Sequence, residues 1–227
     1  MLFSSPLAWH VGIVAAWLGL VAIAAEGLYR FTTVDPEVTR KIVHIGTGPV
    51  VLLAWWLQIP AWIAVVASIF AGTFALLSYW FPLLPGVNSI DRQSFGTFFY
   101  AVSMGTAVAW FWHLDAPQFA ALGILIMSFG DGLAATIGQN FGRHQYFLWG
   151  MQKSWEGSGT MFVVSFAVSI AIFAAIGEIG GKIVLLAVVV AAIATILEAF
   201  SKKGIDNLTV PLGSATIAFW LHGFLLG

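Results

Sequence analysis

Cysteine is absent from this chain, which excludes disulfides and thiolate metal sites. Charge is nearly as scarce. Asp, Glu, Lys and Arg make up 8% of the 227 residues, against about 25% in soluble domains, so water is not the solvent for most of this surface. The net charge of −1 gives no reason to expect nucleic acid as a partner. Neither an internal repeat nor a low-complexity segment is visible. The opening stretch "MLFSSPLAWH" lacks a basic region ahead of its apolar run, so it reads as a first membrane span rather than a cleaved signal.

Apolar sequence is what the chain has in abundance. Hydrophobic residues make up 60% and the mean hydropathy is +0.95, which marks a polytopic membrane protein. At about 20 residues per crossing, residues 1–227 accommodate seven to nine spans as a single integral-membrane domain, with no separate soluble unit. Apolar runs of spanning length fall near 7–28, 42–58, 61–80, 95–112, 118–139, 159–177, 181–199 and 208–226. The expected fold class is therefore an all-α membrane protein of about eight transmembrane helices. The longest polar connections, 29–41, 81–94, 140–158 and 200–207, fall on one side if the spans alternate. Arg30, Arg40, Lys41, Arg92, Arg143, Lys153, Lys202 and Lys203 lie on that side, with Lys182 alone opposite. By the positive-inside rule that side is cytoplasmic, and both termini are non-cytoplasmic.

Most carboxylates fall on the same side, at span ends: Asp91, Asp131, Glu156, Glu198 and Asp206. A carboxylate at membrane depth costs a few kcal/mol, so it faces a cavity or a partner. Asp131 stands inside the run "FAALGILIMSFGDGLAATIG". It is either a packing carboxylate paired to one cation or a functional group. Gly130, Gly132, Gly138 and Gly142 surround it, and glycine leaves room for a phosphate or metal near the main chain; helix packing is the other use, and the better one for Gly138.

Two further stretches carry polar groups at span boundaries. In "KSWEGSG", helical spacing would put Lys153 with Glu156, and Ser154 with Ser158, on shared faces. A cation, hydroxyls, a carboxylate and the glycines Gly157 and Gly159 suit phosphate and Mg²⁺ binding. An interfacial helix start, with Ser154 as cap, is the alternative. Met151 and Gln152 stand where a P-loop requires glycine. In "TRKIVHIGTGP", Arg40, Lys41 and His44 gather on one helix face, followed by Gly and Pro that loosen the span. "EAFSKKGIDNLTVPL" brings Glu198, Asp206 and Asn207 to the same side, with Asn207 either a site residue or a helix cap. Carboxylates, cations and glycine-rich turns on the nucleotide-containing side suit phosphoryl chemistry.

In order, "RKIVHIGTG", "GDGLAATIGQNFGR", "KSWEGSGTMF" and "DNLTVPL" resemble the integral-membrane CTP-dependent lipid-alcohol kinases. That family includes phytol kinase, dolichol kinase and a CTP-using diacylglycerol kinase, and it is related to the CDP-diacylglycerol synthases. The resemblance covers about residues 40 to 211. It implies CTP as co-substrate, Mg²⁺ as cofactor and a long-chain alcohol as acceptor. It also implies nucleotide and metal roles for Arg40, Lys41, His44, Asp131, Lys153, Glu156, Asp206 and Asn207. Joined to the residue-level reading, it gives catalytic candidates Asp131, Lys153, Glu156 and His44, and metal candidates Asp131, Glu156 and Asp206. The nucleotide-binding candidates are Arg40, Lys41, Gly130, Gly132, Gly142, Ser154, Gly157, Ser158 and Asn207. The compact chain favours phytol or another prenol over dolichol, and the weak acidic signature near Asp206 disfavours the synthase reaction. The segment from Asp131 opens like a CDP-alcohol phosphotransferase motif, but Thr136 stands where that motif has arginine. A cytidylyltransferase making a CDP-lipid is the enzymatic rival. A transporter is the non-enzymatic one, which would place charges near mid-membrane rather than at one face.

Overall fold

A computed structural model describes residues 6–33, 36–80 and 95–227. In chain order the helices are α1 (Pro6–Phe31), α2 (Pro36–Thr47), α3 (Val50–Trp56), α4 (Ala61–Trp80), α5 (Gly96–His113) and α6 (Pro117–Leu125). A π-helical turn (Ile126–Asp131) joins α6 to α7 (Gly132–Phe141). The strands β1 (Gln145–Leu148) and β2 (Met151–Ser154) follow, then α8 (Trp155–Ala175), α9 (Gly181–Ala199) and α10 (Asp206–Leu226). The loop 81–94, with Asp91 and Arg92, lies outside the described residues.

Among the described residues six segments are long and apolar enough to cross a membrane: Pro6–Phe31, Ala61–Ser78, Pro117–Phe141, Trp155–Ala175, Gly181–Ala199 and Asp206–Leu226. This is an integral membrane protein. Two of the anticipated spans differ from that pattern. The run 42–58 is divided between α2 and α3 at Gly48–Pro49, because the residue before a proline is pushed away from helical geometry. The run 95–112 folds as the 18-residue α5, whose Gly, Ser, Thr and Tyr residues keep it outside that set of six.

The α6–α7 segment is the hub. Within Pro117–Phe141 67% of the spanning window is buried inside the protein, against 11% for α1 and for α4, so α1 and α4 present their apolar surface to lipid. Every residue from Phe119 to Met127 except the glycine counts among the buried hydrophobic core. Small side chains permit this closeness: a Cβ on Gly123 would lie 2.2 Å from the Pro211 carbonyl oxygen of α10. At the far end of α10, Phe119 meets Phe219 edge to face at 5.3 Å, and His222 pairs with Glu178 at 2.7 Å.

The connection 140–158 holds the only strands among the described residues, an addition to the expected all-helical fold. Its register pairs Gln145 with Ser154, Tyr146 with Lys153, Phe147 with Gln152 and Leu148 with Met151. The two-residue turn has positive φ at both Trp149 (48°) and Gly150 (75°), the geometry that matches the twist of a tight hairpin. Trp149 packs edge-on against Phe200 at 5.2 Å, and the Trp155 N–H donates to the His144 carbonyl at 2.9 Å. The hairpin is thus fastened at tip and base.

Candidate active site

Asp131 sits at the last residue of the π-helical turn, a local irregularity frequent at functional sites. The glycines around it are fixed by packing. A Cβ on Gly130 would lie 2.7 Å from Met161 Sδ, and one on Gly132 2.5 Å from Ile45 Cγ1. Cβ atoms on Gly142 and Gly157 would lie 2.2 Å from the Gly138 oxygen and 3.1 Å from the Ala134 oxygen. Neighbouring protein occupies the Cβ side of each of them. Close packing of this segment on α2, on Ser154 and on α8 is the physical reason for these glycines.

Three carboxylates gather around one lysine. Lys153 Nζ forms an ion pair with Glu198 Oε1 and donates to the Glu198 carbonyl oxygen at 3.2 Å. Asp206 and Asp131 also act on this ammonium, and both Asp206 and Glu198 lie within electrostatic reach of Asp131. The Lys153 side chain is 21% exposed and that of Glu198 9%. Burial works against the lysine's charge, but Glu198, with Asp206 and Asp131, outweighs it and holds the ammonium above the usual lysine range. Arg40 supplies positive charge to Asp131 from α2. Lys41, on the same helix, donates to Gln139 Oε1 at 2.9 Å. His44 completes this side, with Nε2 buried, without a hydrogen-bond partner, and 3.8 Å from Asp131 Oδ2.

Several sequence-predicted residues take other places. Lys153 lies on β2 rather than on a helix, and α8 begins only at Trp155. The anticipated helix faces shared by Lys153 with Glu156, and by Ser154 with Ser158, therefore do not form. Ser154 is the N-cap of α8, its Oγ accepting the Gly157 N–H at 3.1 Å. Glu156 turns to His144, accepting its backbone N–H at 3.1 Å and meeting its Nδ1 at 2.7 Å; it does not join the carboxylates around Lys153. Ser158 bonds the Tyr146 hydroxyl at 2.7 Å. Asn207 lies in the first turn of α10, after the N-cap Ile205, and is not the cap. It donates through Nδ2 to the Gly204 carbonyl at 3.2 Å and through its backbone N–H to Asp206 Oδ1 at 3.0 Å. Pro211 has no N–H to offer the Asn207 carbonyl four residues earlier. Glu198 is the residue the sequence left without a role. Its place at the end of α9 was legible, but its partner is 45 positions away.

Among the described residues no three His, Asp or Glu side chains are close enough to hold a metal ion by themselves. A Mg²⁺–nucleotide needs less, since Mg²⁺ takes one or two carboxylates and completes its shell with phosphates and water. The oxygen donors of Asp131, Asp206 and Glu198 fit that chemistry.

The site's parts come from α2, the π-helical turn, β2, α9 and α10, so only a relative covering nearly the whole chain speaks to it. A phytol kinase of Synechocystis sp. is 50% identical over 220 residues, covering 97% of this chain and 94% of that protein. This chain belongs to the phytol kinase family. Family members in plants are more distant. Phytol kinase 1, chloroplastic, of Arabidopsis thaliana is 25% identical over 256 residues, covering 97% of this chain and 79% of that protein. The farnesol kinase, chloroplastic, of the same plant is 29% identical over 214 residues, covering 85% and 66%. No family profile matches the chain, and no solved structure does.

Proposed function

We propose that this chain is a membrane kinase that transfers the γ-phosphate of CTP to phytol or another prenol at the cytoplasmic leaflet. The observation that carries it is the charge-raised Lys153 held among Glu198, Asp206 and Asp131, in a chain of the phytol kinase family. The kinase names of its relatives, for phytol and for farnesol, support a prenol acceptor. CTP and Mg²⁺ rest on the ordered motifs. Single-domain organisation and eight crossings complete the reading. The α2–α3 pair and α5 join the six long helices, both termini are non-cytoplasmic, and the Lys153 end faces the cytoplasm, where the cations concentrate.

In the reaction the alcohol oxygen attacks the γ-phosphorus, the new O–P bond forms as the bridging O–P bond breaks, and CDP leaves. Lys153 and Arg40 offset the charge spread over the phosphate oxygens, where fixed cations act most strongly because water is excluded. Lys41 lies on the same helix for the remaining phosphates. Mg²⁺, when bound to the nucleotide, would be held by Asp131 and Asp206 and would supply further charge neutralisation. His44 Nε2, buried and unpartnered beside Asp131, receives the alcohol proton. Glu156, with His144, shapes the rim.

Membranes containing the protein, Mg²⁺, and CTP labelled at the α- or the γ-phosphate test this reading with phytol, farnesol, a polyprenol or diacylglycerol as acceptor. The expected result is γ-label in the lipid, CDP released, CTP ahead of ATP, and phytol or farnesol ahead of diacylglycerol. Label entering lipid phosphate only from the α-position would mean a cytidylyltransferase, and no label from any acceptor would return the transporter reading.

A further inference from the structure

Two departures from regular helix meet at one hydroxyl. Ser128, fully buried, lies in the π-helical turn. The Gly48–Pro49 break presses against it, so that a Cβ on Gly48 would lie 2.3 Å from Ser128 Oγ. That Oγ donates to the Ile124 carbonyl at 2.8 Å, which commits its proton. It therefore accepts from the Tyr100 hydroxyl at 2.6 Å. Tyr100 in turn holds His44 through its ring, which lies on the imidazole with centroids 4.7 Å apart and planes inclined by 41°. Nε2 has no hydrogen bond of its own, so the Tyr100 ring and the Met127 backbone in the π-helical turn fix the plane in which it faces Asp131.

We propose that Tyr100 and Ser128 are positioning residues for phosphoryl transfer, locking the His44 imidazole in the orientation that aims Nε2 at Asp131. The proposal rests on the kinase reading above. Packing alone does not call for this arrangement. A phenylalanine would fill the same volume beside His44, and an alanine the same place in the turn. The two hydroxyls matter only if the tyrosine ring must not rotate or slide, which is what a group acting on a bound substrate requires.

The test is a set of double-mutant cycles on purified protein in lipid nanodiscs, with CTP, Mg²⁺ and farnesol. Tyr100→Phe and Ser128→Ala are each expected to lower kcat about tenfold, with KM for CTP and for farnesol within about twofold. In a His44→Ala background neither substitution should lower kcat further, because the group they orient is gone. A loss of the same size in both backgrounds would mean a structural role and would overturn the proposal. So would unchanged kcat in both single variants, or a His44→Ala enzyme with wild-type turnover. All three outcomes leave the kinase reading standing, since wild-type transfer of γ-label is the reference for each. Melting temperatures in the same nanodiscs, unchanged for Tyr100→Phe, separate lost orientation from lost fold.

Discussion

Replacing Lys153 with methionine removes the cation from a group of three carboxylates and keeps most of the stem's volume. Glu198, at 9% side-chain exposure, would then lose its cation, with Asp131 and Asp206 nearby and Arg40, acting on Asp131, left to offset the group. Breaking a buried pair from one side costs about 3–5 kcal/mol; the 21% exposure of Lys153 places this case near the lower end, about 3 kcal/mol. Glu198→Gln is milder, because Lys153 keeps the Glu198 carbonyl, Asp206 and Asp131. Losing one charged hydrogen bond there costs about 1.5–3 kcal/mol. The double variant Lys153→Met/Glu198→Gln should be more stable than the sum of the two losses, by about 1–3 kcal/mol. Titration with SDS in mixed micelles, followed by tryptophan fluorescence, gives these unfolding free energies. Turnover should be lost in Lys153→Met and should not return in the double variant. The pH dependence carries a sign. A lysine held above its ordinary value contributes fully at every pH below that ordinary value, and loses the contribution only as alkaline pH crosses the folded-state value. The lysine's own share of the gap between wild type and Lys153→Met should therefore be flat from about pH 6 to about pH 9. A Lys153→Met protein within about 0.5 kcal/mol of wild type, or single-variant losses that simply add, would refute the buried-pair argument.

Asp131→Asn keeps the volume and removes the charge, so it should abolish γ-phosphate transfer in the labelled-CTP assay while circular dichroism stays unchanged. Glu156→Gln, whose carboxylate serves His144, should lose less than tenfold in the same assay. Gly48→Ala sets a methyl 2.3 Å from Ser128 Oγ and 2.5 Å from its Cβ, an overpacking worth about 1–3 kcal/mol in the SDS titration; a second substitution, Ser128→Gly, should restore stability and not turnover. Single cysteines placed in this cysteine-free chain at residue 149 and at residue 4 should react with an impermeant reagent from opposite sides of the membrane. Labelling of both from one side would overturn the proposed topology.

Composition made the membrane class legible, because charge this sparse leaves no other solvent for the surface. Asp131 stood out for the same reason, a carboxylate in an otherwise apolar run, and Lys153 stood out with its motif. Gly48 and Pro49 announced a weak point in the second span, though not that it would divide the helix. The hairpin was hidden. Its strands are four residues each, and Trp149–Gly150 replaces the Asn–Gly or Asp–Gly pair that signals a tight turn. That concealment moved Lys153 off its assumed helix and Glu156 away from it. Glu198 was placed but given no role, and Tyr100 and Ser128 escaped notice, because their partners lie 45, 56 and 28 positions away. A serine and a tyrosine are ordinary residues in a membrane helix until the tertiary structure shows what they touch.

The π-helical turn makes the reaction centre a matter of counting. An α-helix rotates about 100° per residue, so deleting one residue between Ile126 and Asp131 would let the segment settle into a regular span. Everything on one side of the deletion would then rotate by about that angle relative to the other. Such a chain would insert into the bilayer at least as well as the natural one. It would still contain its aspartate, its lysine and its histidine, but the aspartate would face a different neighbour. A single added codon thus sets which neighbour the aspartate of the proposed site faces. Anyone transplanting this centre into a designed helical bundle must copy the surplus residue along with the acid.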